Sequence, residues 1–167
     1  MKRNAILIII SLLISLFIYL FYRTDRTFVN QLAIYLISLD SYARLKATVA
    51  GALPLNDIVV YSLPEGLWVF CITLTSRYYY IRLVRRRVDC LYIPIIFFIG
   101  LEFFQLFHIT NGRFDLMDIS VSFIFWLSGA YLISDRCAKH NILTQLNLRT
   151  SVCLASYCIV YLAHVFK

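Results

Sequence analysis

Five apolar stretches, 4–22, 63–81, 90–109, 116–134 and 148–166, each approach the length of a membrane-crossing helix. A helix needs about 20 apolar residues to span the hydrocarbon core of a bilayer. The segments between the stretches are short, so no soluble domain of any size fits among them. The reading is therefore an all-α, polytopic membrane helix bundle forming a single integral membrane domain over residues 1–167. It has about five transmembrane helices and one interfacial amphipathic helix.

Composition agrees where it bears on this reading. The chain is 61% hydrophobic and 15% charged, against roughly half and a quarter in soluble domains. The formal net charge of +7 would suggest nucleic-acid binding in a soluble protein. Here the basic residues stand between apolar runs, where they act as topology determinants, and no nucleic-acid partner is expected. Five cysteines without a CxxC pair read as buried apolar side chains rather than a disulfide framework.

The first stretch, Asn4–Tyr22, follows Lys2 and Arg3 and ends in Tyr19, Phe21, Tyr22 and Arg23. It is too long for a signal peptide and no small-residue cleavage site follows it, so it is expected to be retained. Residues 27–47 differ. Phe28, Leu32, Leu36 and Leu39 recur at spacings of four, four and three, the mark of an amphipathic helix lying in the interface or across the bundle. The second stretch opens with Ser62-Leu63-Pro64-Glu65, the spacing of a capping box with proline in the first turn. It closes on Tyr78, Tyr79 and Tyr80, expected at headgroup level, with Arg77 snorkelling outward. The cluster Arg82, Arg85, Arg86 and Arg87 is placed in the cytoplasm by the positive-inside rule. For a multi-pass cell-membrane protein with five spans, the N-terminus is then cytoplasmic and the C-terminus lies outside.

One polar constellation interrupts the apolar pattern. Glu102 and Gln105 stand three residues apart in the third stretch and share a helix face; His108 continues that face toward its outer end. Asn111-Gly112 is a turn signal, Arg113 lies within it, and Asp115 and Asp118 open the fourth stretch. The connection from Thr110 to Asp115 is so short that the flanking helices must be antiparallel neighbours. An acid at the centre of a spanning helix costs about 3 kcal/mol on insertion scales. Glu102 is about 10 Å deep at 1.5 Å per residue, so it needs a cation, with Arg113 nearest in sequence, or a proton. Bland roles stand beside these. Asp115 and Asp118 can cap a helix, His108 can be an interfacial histidine, Gln105 can hold helices together, and Glu102 can be a packing ion pair. Glu65 reads as a helix cap that faces the same outer side. The acids with His108 would make only a generic oxygen-rich metal site, and neither metal nor cofactor is expected. No HExxH, GxSxG, P-loop or GxGxxG is present.

The run Leu101-Glu102-Phe103-Phe104-Gln105, then Gly112-Arg113-Phe114-Asp115-Leu116-Met117-Asp118, then Ser128-Gly129, resembles the VanZ-like membrane proteins. Their pattern is a glutamate and glutamine on one helix, an arginine in a short turn and a paired-aspartate helix start. Ser62 to Trp68 resembles the segment that opens an earlier helix in that family, so the resemblance covers about residues 62–132. Family members often carry an asparagine a few residues after the second aspartate; Ser122 stands near that place. The resemblance implies an envelope protein with an outward-facing polar cluster, in a family whose namesake is linked to low-level tolerance of the lipidated glycopeptide teicoplanin. It implies no reaction.

Three functions follow as expectations. The first is binding or protecting a lipid-linked or amphiphilic ligand at the outer leaflet through Glu65, Glu102, Gln105, His108, Arg113, Asp115 and Asp118. A Phe-rich wall of Phe97, Phe98, Phe103, Phe104 and Phe107 stands beside that cluster. The second is an intramembrane enzyme acting on a lipid headgroup, with Glu102 and Asp118 as the candidate catalytic acid/base pair. The third is an accessory subunit whose partner is another membrane protein. The lipid bilayer is a partner in each case.

Overall fold

A computed structural model of the chain describes residues 2–24, 28–83, 86–109, 114–133, 139–142 and 148–165. The described part is mostly helical. Helix α1 spans Lys2–Tyr22, α2 Phe28–Ile37, α3 Leu39–Ala52, α4 Asp57–Ser76, α5 Ile93–Leu106, α6 Leu116–Leu127 and α7 Leu148–Val165. A single 3-10 turn, Cys90–Tyr92, leads into α5, and the π-helical turn Ser128–Leu132 extends α6. Among the described residues, two segments, Arg3–Tyr22 and Asp57–Ser76, are long and apolar enough to cross a bilayer; Cys90–Leu106 and Leu116–Leu132 are apolar but shorter.

Helix α4 is the hub and packs against α1, α5, α6 and α7. It starts six residues before the expected position. Asn56 is its N-cap, accepting from the Ile58 amide at 3.3 Å, and Asp57 complements the dipole in the first turn. Ser62 therefore caps nothing, and Pro64 lies inside the helix, where it removes the bond that would run to the Val60 carbonyl.

Close approach between α4 and α6 depends on glycine. A Cβ on Gly66 would stand 2.6 Å from Cδ2 of Phe125 and 2.9 Å from Cγ1 of Val121. A Cβ on Gly129 would stand 3.2 Å from the Thr73 side chain. Beside this seam, Val69, Ile95, Phe98 and Trp126 form an apolar core, and Trp126 Nε1 donates to the Leu91 carbonyl at 2.9 Å.

The second stretch ends earlier than expected, and its last residues are extended. Strand β1, Tyr79–Leu83, pairs antiparallel with β2, Arg86–Asp89, and parallel with the two-residue β3, His140–Asn141. No strand was expected anywhere in the chain. Tyr79, assigned to the headgroup level, is instead buried with Cys90, Ile142 and Cys153. Tyr78 accepts from Asn4, and Arg77 donates to the Ile133 carbonyl rather than snorkelling free. Ser76 and Tyr157 hydroxyls, 2.8 Å apart, tie α7 to the end of α4. Of the cysteines described, Cys71, Cys90 and Cys153 are buried and unbridged, and Cys158 is exposed and unbridged; Cys137 lies outside the described residues.

The amphipathic segment is two helices rather than one. Ser38, at φ 77°, breaks the chain between α2 and α3 in a backbone region that side chains disfavour. The apolar stripe of the segment is real but uncovered, with Leu32, Leu36 and Leu39 at 50%, 72% and 58% exposure. Helix α3 instead uses polar side chains to complete the end of α1. The Tyr42 hydroxyl donates to the Leu20 carbonyl, and Lys46 Nζ donates to the Arg23 carbonyl at 2.7 Å. A cation at a helix C-terminus is favoured by the dipole, and these bonds fix where Arg23 begins its side chain.

Candidate functional site

The site is assembled by four helices. Helix α4 contributes Glu65, α5 contributes Glu102 and α6 contributes Asp118, and one carboxylate oxygen from each lies within 4.8 Å of the other two. The end of α1 contributes Arg23, whose Nη2 is 3.9 Å from Glu65 Oε1. Both partners are nearly enclosed, with side-chain exposures of 14% for Arg23 and 13% for Glu65. Glu102 is 1% exposed.

Each placement has a local cause. Arg23 Nη2 donates to the Tyr61 carbonyl of α4 at 2.8 Å. Its guanidinium also sits over the rings of Tyr19 and Tyr61, 5.1 and 4.9 Å from their centroids. Cation–π contact on two sides holds the fork while leaving its edge toward Glu65. Asp118 stands in the first turn of α6, which Asp115 caps by accepting from the Met117 amide at 2.8 Å. The Asp115 amide donates in turn to Glu102 Oε2 at 3.3 Å. Glu102 thus reaches across from α5 to the N-terminus of α6, where unsatisfied amides and the dipole favour an anion.

The expected residues divide accordingly. Glu102 and Gln105 do share a buried face of α5. Glu65 joins the cluster from within α4, not from its start. Asp115 is exposed and acts as a cap. His108 is exposed, at φ 57°. The Ile109 amide bonds to the Phe104 carbonyl and the His108 amide to the Gln105 carbonyl, the Schellman pattern that ends α5. Its backbone is committed to that turn. Arg113 and its expected pairing with Glu102 or Asp118 lie outside the described residues. The Phe-rich wall is mixed: Phe98 is in the core, whereas Phe103, Phe104 and Phe107 are 48%, 48% and 68% exposed.

Arg23 was missed. The only sequence signal for it is an arginine following Tyr19 and Tyr22, and its partner stands 42 positions later on another helix. Two further polar atoms belong to this region. Asp118 Oδ1 and Ser122 Oγ are buried with no hydrogen-bond partner among the described residues.

An apolar groove of about 220 Å³ runs between α4 and α6, lined by Ile58, Val59, Leu63, Val121, Ile124 and Phe125. It lies on the same two helices that carry Glu65 and Asp118. Among family models, curated proteins and solved structures, none matches this chain.

Proposed function

We propose that this chain is a VanZ-like polytopic membrane protein that binds the polar end of a lipid-linked or amphiphilic ligand at the outer leaflet. The observation that carries the reading is the convergence of Glu65, Glu102 and Asp118 from three helices onto one point. Buried carboxylates are expensive in an apolar bundle and concentrate where they serve binding or chemistry. The groove between α4 and α6 supports the amphiphilic character of the ligand, since it offers apolar wall alone. The membrane setting is supported by the apolar surface of the helices: Ile6, Ile9 and Leu13 on α1, Ile96 on α5 and Ile124 on α6 are each more than 40% exposed. Large apolar side chains left exposed on several helices suit a lipid surround. In this reading the apolar helices cross the bilayer as five spans with the N-terminus inside, and α2 lies in the interface on its uncovered stripe.

The enclosure of Glu102, 1% exposed, speaks against the enzymatic alternative, in which the acids would line an open cavity; a sealed cluster is what the accessory-subunit alternative would have. The test compares a deletion strain with a Glu102→Gln replacement at the native locus. Both are expected to show the same rise in sensitivity to a lipidated glycopeptide, with Glu102→Gln present in the membrane at normal amount. Wild-type sensitivity in the replacement strain, or no effect of deletion, contradicts the proposal.

A further inference from the structure

We infer that Glu65, Glu102 and Asp118 hold a hard divalent cation, with Ser122 as an auxiliary oxygen ligand. The geometry of the three carboxylates is the first observation. Ca²⁺ binds oxygen at about 2.3–2.6 Å, so ligands on opposite sides of it stand about 4.6–5.2 Å apart. Three oxygens symmetrically placed around such an ion stand about 4.0–4.5 Å apart, and the three carboxylate oxygens, all within 4.8 Å of one another, need at most a small side-chain adjustment to meet it. An all-oxygen donor set, with no thiolate or imidazole, selects hard ions over zinc or copper.

Ser122 is the second and independent observation. It is 0% exposed and its hydroxyl has no hydrogen-bond partner among the described residues. Its neighbours on α6 and the following turn bond back to their own helix. Ser120 Oγ bonds back to the Leu116 carbonyl and Ser128 Oγ to the Ile124 carbonyl, both at 2.9 Å. Ser122 makes no such bond. It lies one turn after Asp118 on the stripe of α6 that faces Gly66 of α4 through Val121 and Phe125. Side chains on a helix lean toward its N-terminus, so the Ser122 hydroxyl is directed at the turn that carries Asp118. A buried polar atom left unsatisfied is costly, and Asp118 Oδ1 is a second such atom in the same place. One cation satisfies both.

Arg23 does not fill this role. It reaches Glu65 Oε1 only at 3.9 Å and spends its Nη2 donor on the Tyr61 carbonyl, so it borders the carboxylates from the α1 side. Burial favours Ca²⁺ over Mg²⁺, because Mg²⁺ keeps several waters and demands near-ideal octahedral geometry. The inference concerns the same site as the proposed ligand but does not require that ligand. Metal binding and the envelope phenotype are read separately, and either can fail alone.

The test is Mn²⁺ titration of the detergent-purified full chain, followed by electron paramagnetic resonance, with Ca²⁺ and Mg²⁺ as competitors. The expected result is one saturable Mn²⁺ site per chain, displaced by Ca²⁺ more readily than by Mg²⁺. Asp118→Asn should weaken Mn²⁺ binding by about tenfold or more, and Ser122→Ala by a smaller factor with unchanged helix content. Ser122→Ala removes one buried hydroxyl and nothing else, so it serves if Asp118→Asn does not fold. Absence of a saturable site in the wild type, or an affinity unaltered by both substitutions, overturns the inference.

Discussion

Gly66→Leu is expected to separate α4 from α6 and leave little correctly folded protein. The Cβ alone would meet Phe125 at 2.6 Å and Val121 at 2.9 Å, and the remaining leucine atoms have nowhere to go but into Phe125. Overpacking of this kind typically costs about 1–3 kcal/mol, and more where backbone must move. Here two helices must move, and Glu65, adjacent to Gly66, would be carried away from Asp118. Thermal unfolding of the purified variant in detergent should show a lowered midpoint. Gly66→Ala should fall between it and the wild type, because a lone Cβ needs only the Phe125 ring and the Val121 methyl to shift. A leucine variant as stable as the wild type would mean that the two helices do not approach as closely as described.

Glu102→Ala is expected to cost about 2–4 kcal/mol, the second large effect. It removes a buried side chain, opens a cavity and takes the acceptor from the Asp115 amide at the start of α6. Losing that hydrogen bond costs about 0.5–1.5 kcal/mol, and the cavity left by the buried side chain adds to it. Glu102→Gln keeps the shape and a carbonyl acceptor, so its loss should be clearly smaller. Comparison of the two midpoints isolates the hydrogen bond and packing from the charge. Equal destabilisation by alanine and glutamine would show that the charge itself holds α5 to α6.

What sequence could show here follows from range of interaction. Helices α1, α5 and α6 form within the apolar stretches, α5 and α6 shorter than the stretches themselves, because an apolar run with a polar edge specifies a helix locally. Pro64 misled the reading of α4. A proline four residues before Trp68 looks like a helix start, and only the cap at Asn56 reveals that the helix had already begun. Tyr79 to Asp89 carries β-favouring tyrosine, isoleucine and valine, but its apolar content merged with the preceding run. Its third strand comes from His140–Asn141, some sixty positions away, which no local pattern announces. Ser38 offers no glycine to mark the break between α2 and α3.

The candidate site was legible in the same measure. Glu102 and Gln105 share a face by spacing alone, and the paired aspartates at 115 and 118 marked the start of α6 correctly. Their division into cap and cluster member was not legible, since it depends on Glu102 occupying the amide of Asp115. Glu65 and Arg23 meet through the packing of α1 on α4, a tertiary fact without a sequence signature.

The convergence of acids from α4 and α6 is tested most directly by pairing cysteines at their positions in membranes. In a chain freed of its native cysteines, Glu65→Cys combined with Asp118→Cys should be joined by a short bifunctional thiol reagent. The joined product would run with altered mobility on a denaturing gel, while either single variant would not. High-yield linkage within one chain is the predicted result. Reactive cysteines at both positions that fail to link would contradict the account, because Glu65 and Asp118 would then not share a site.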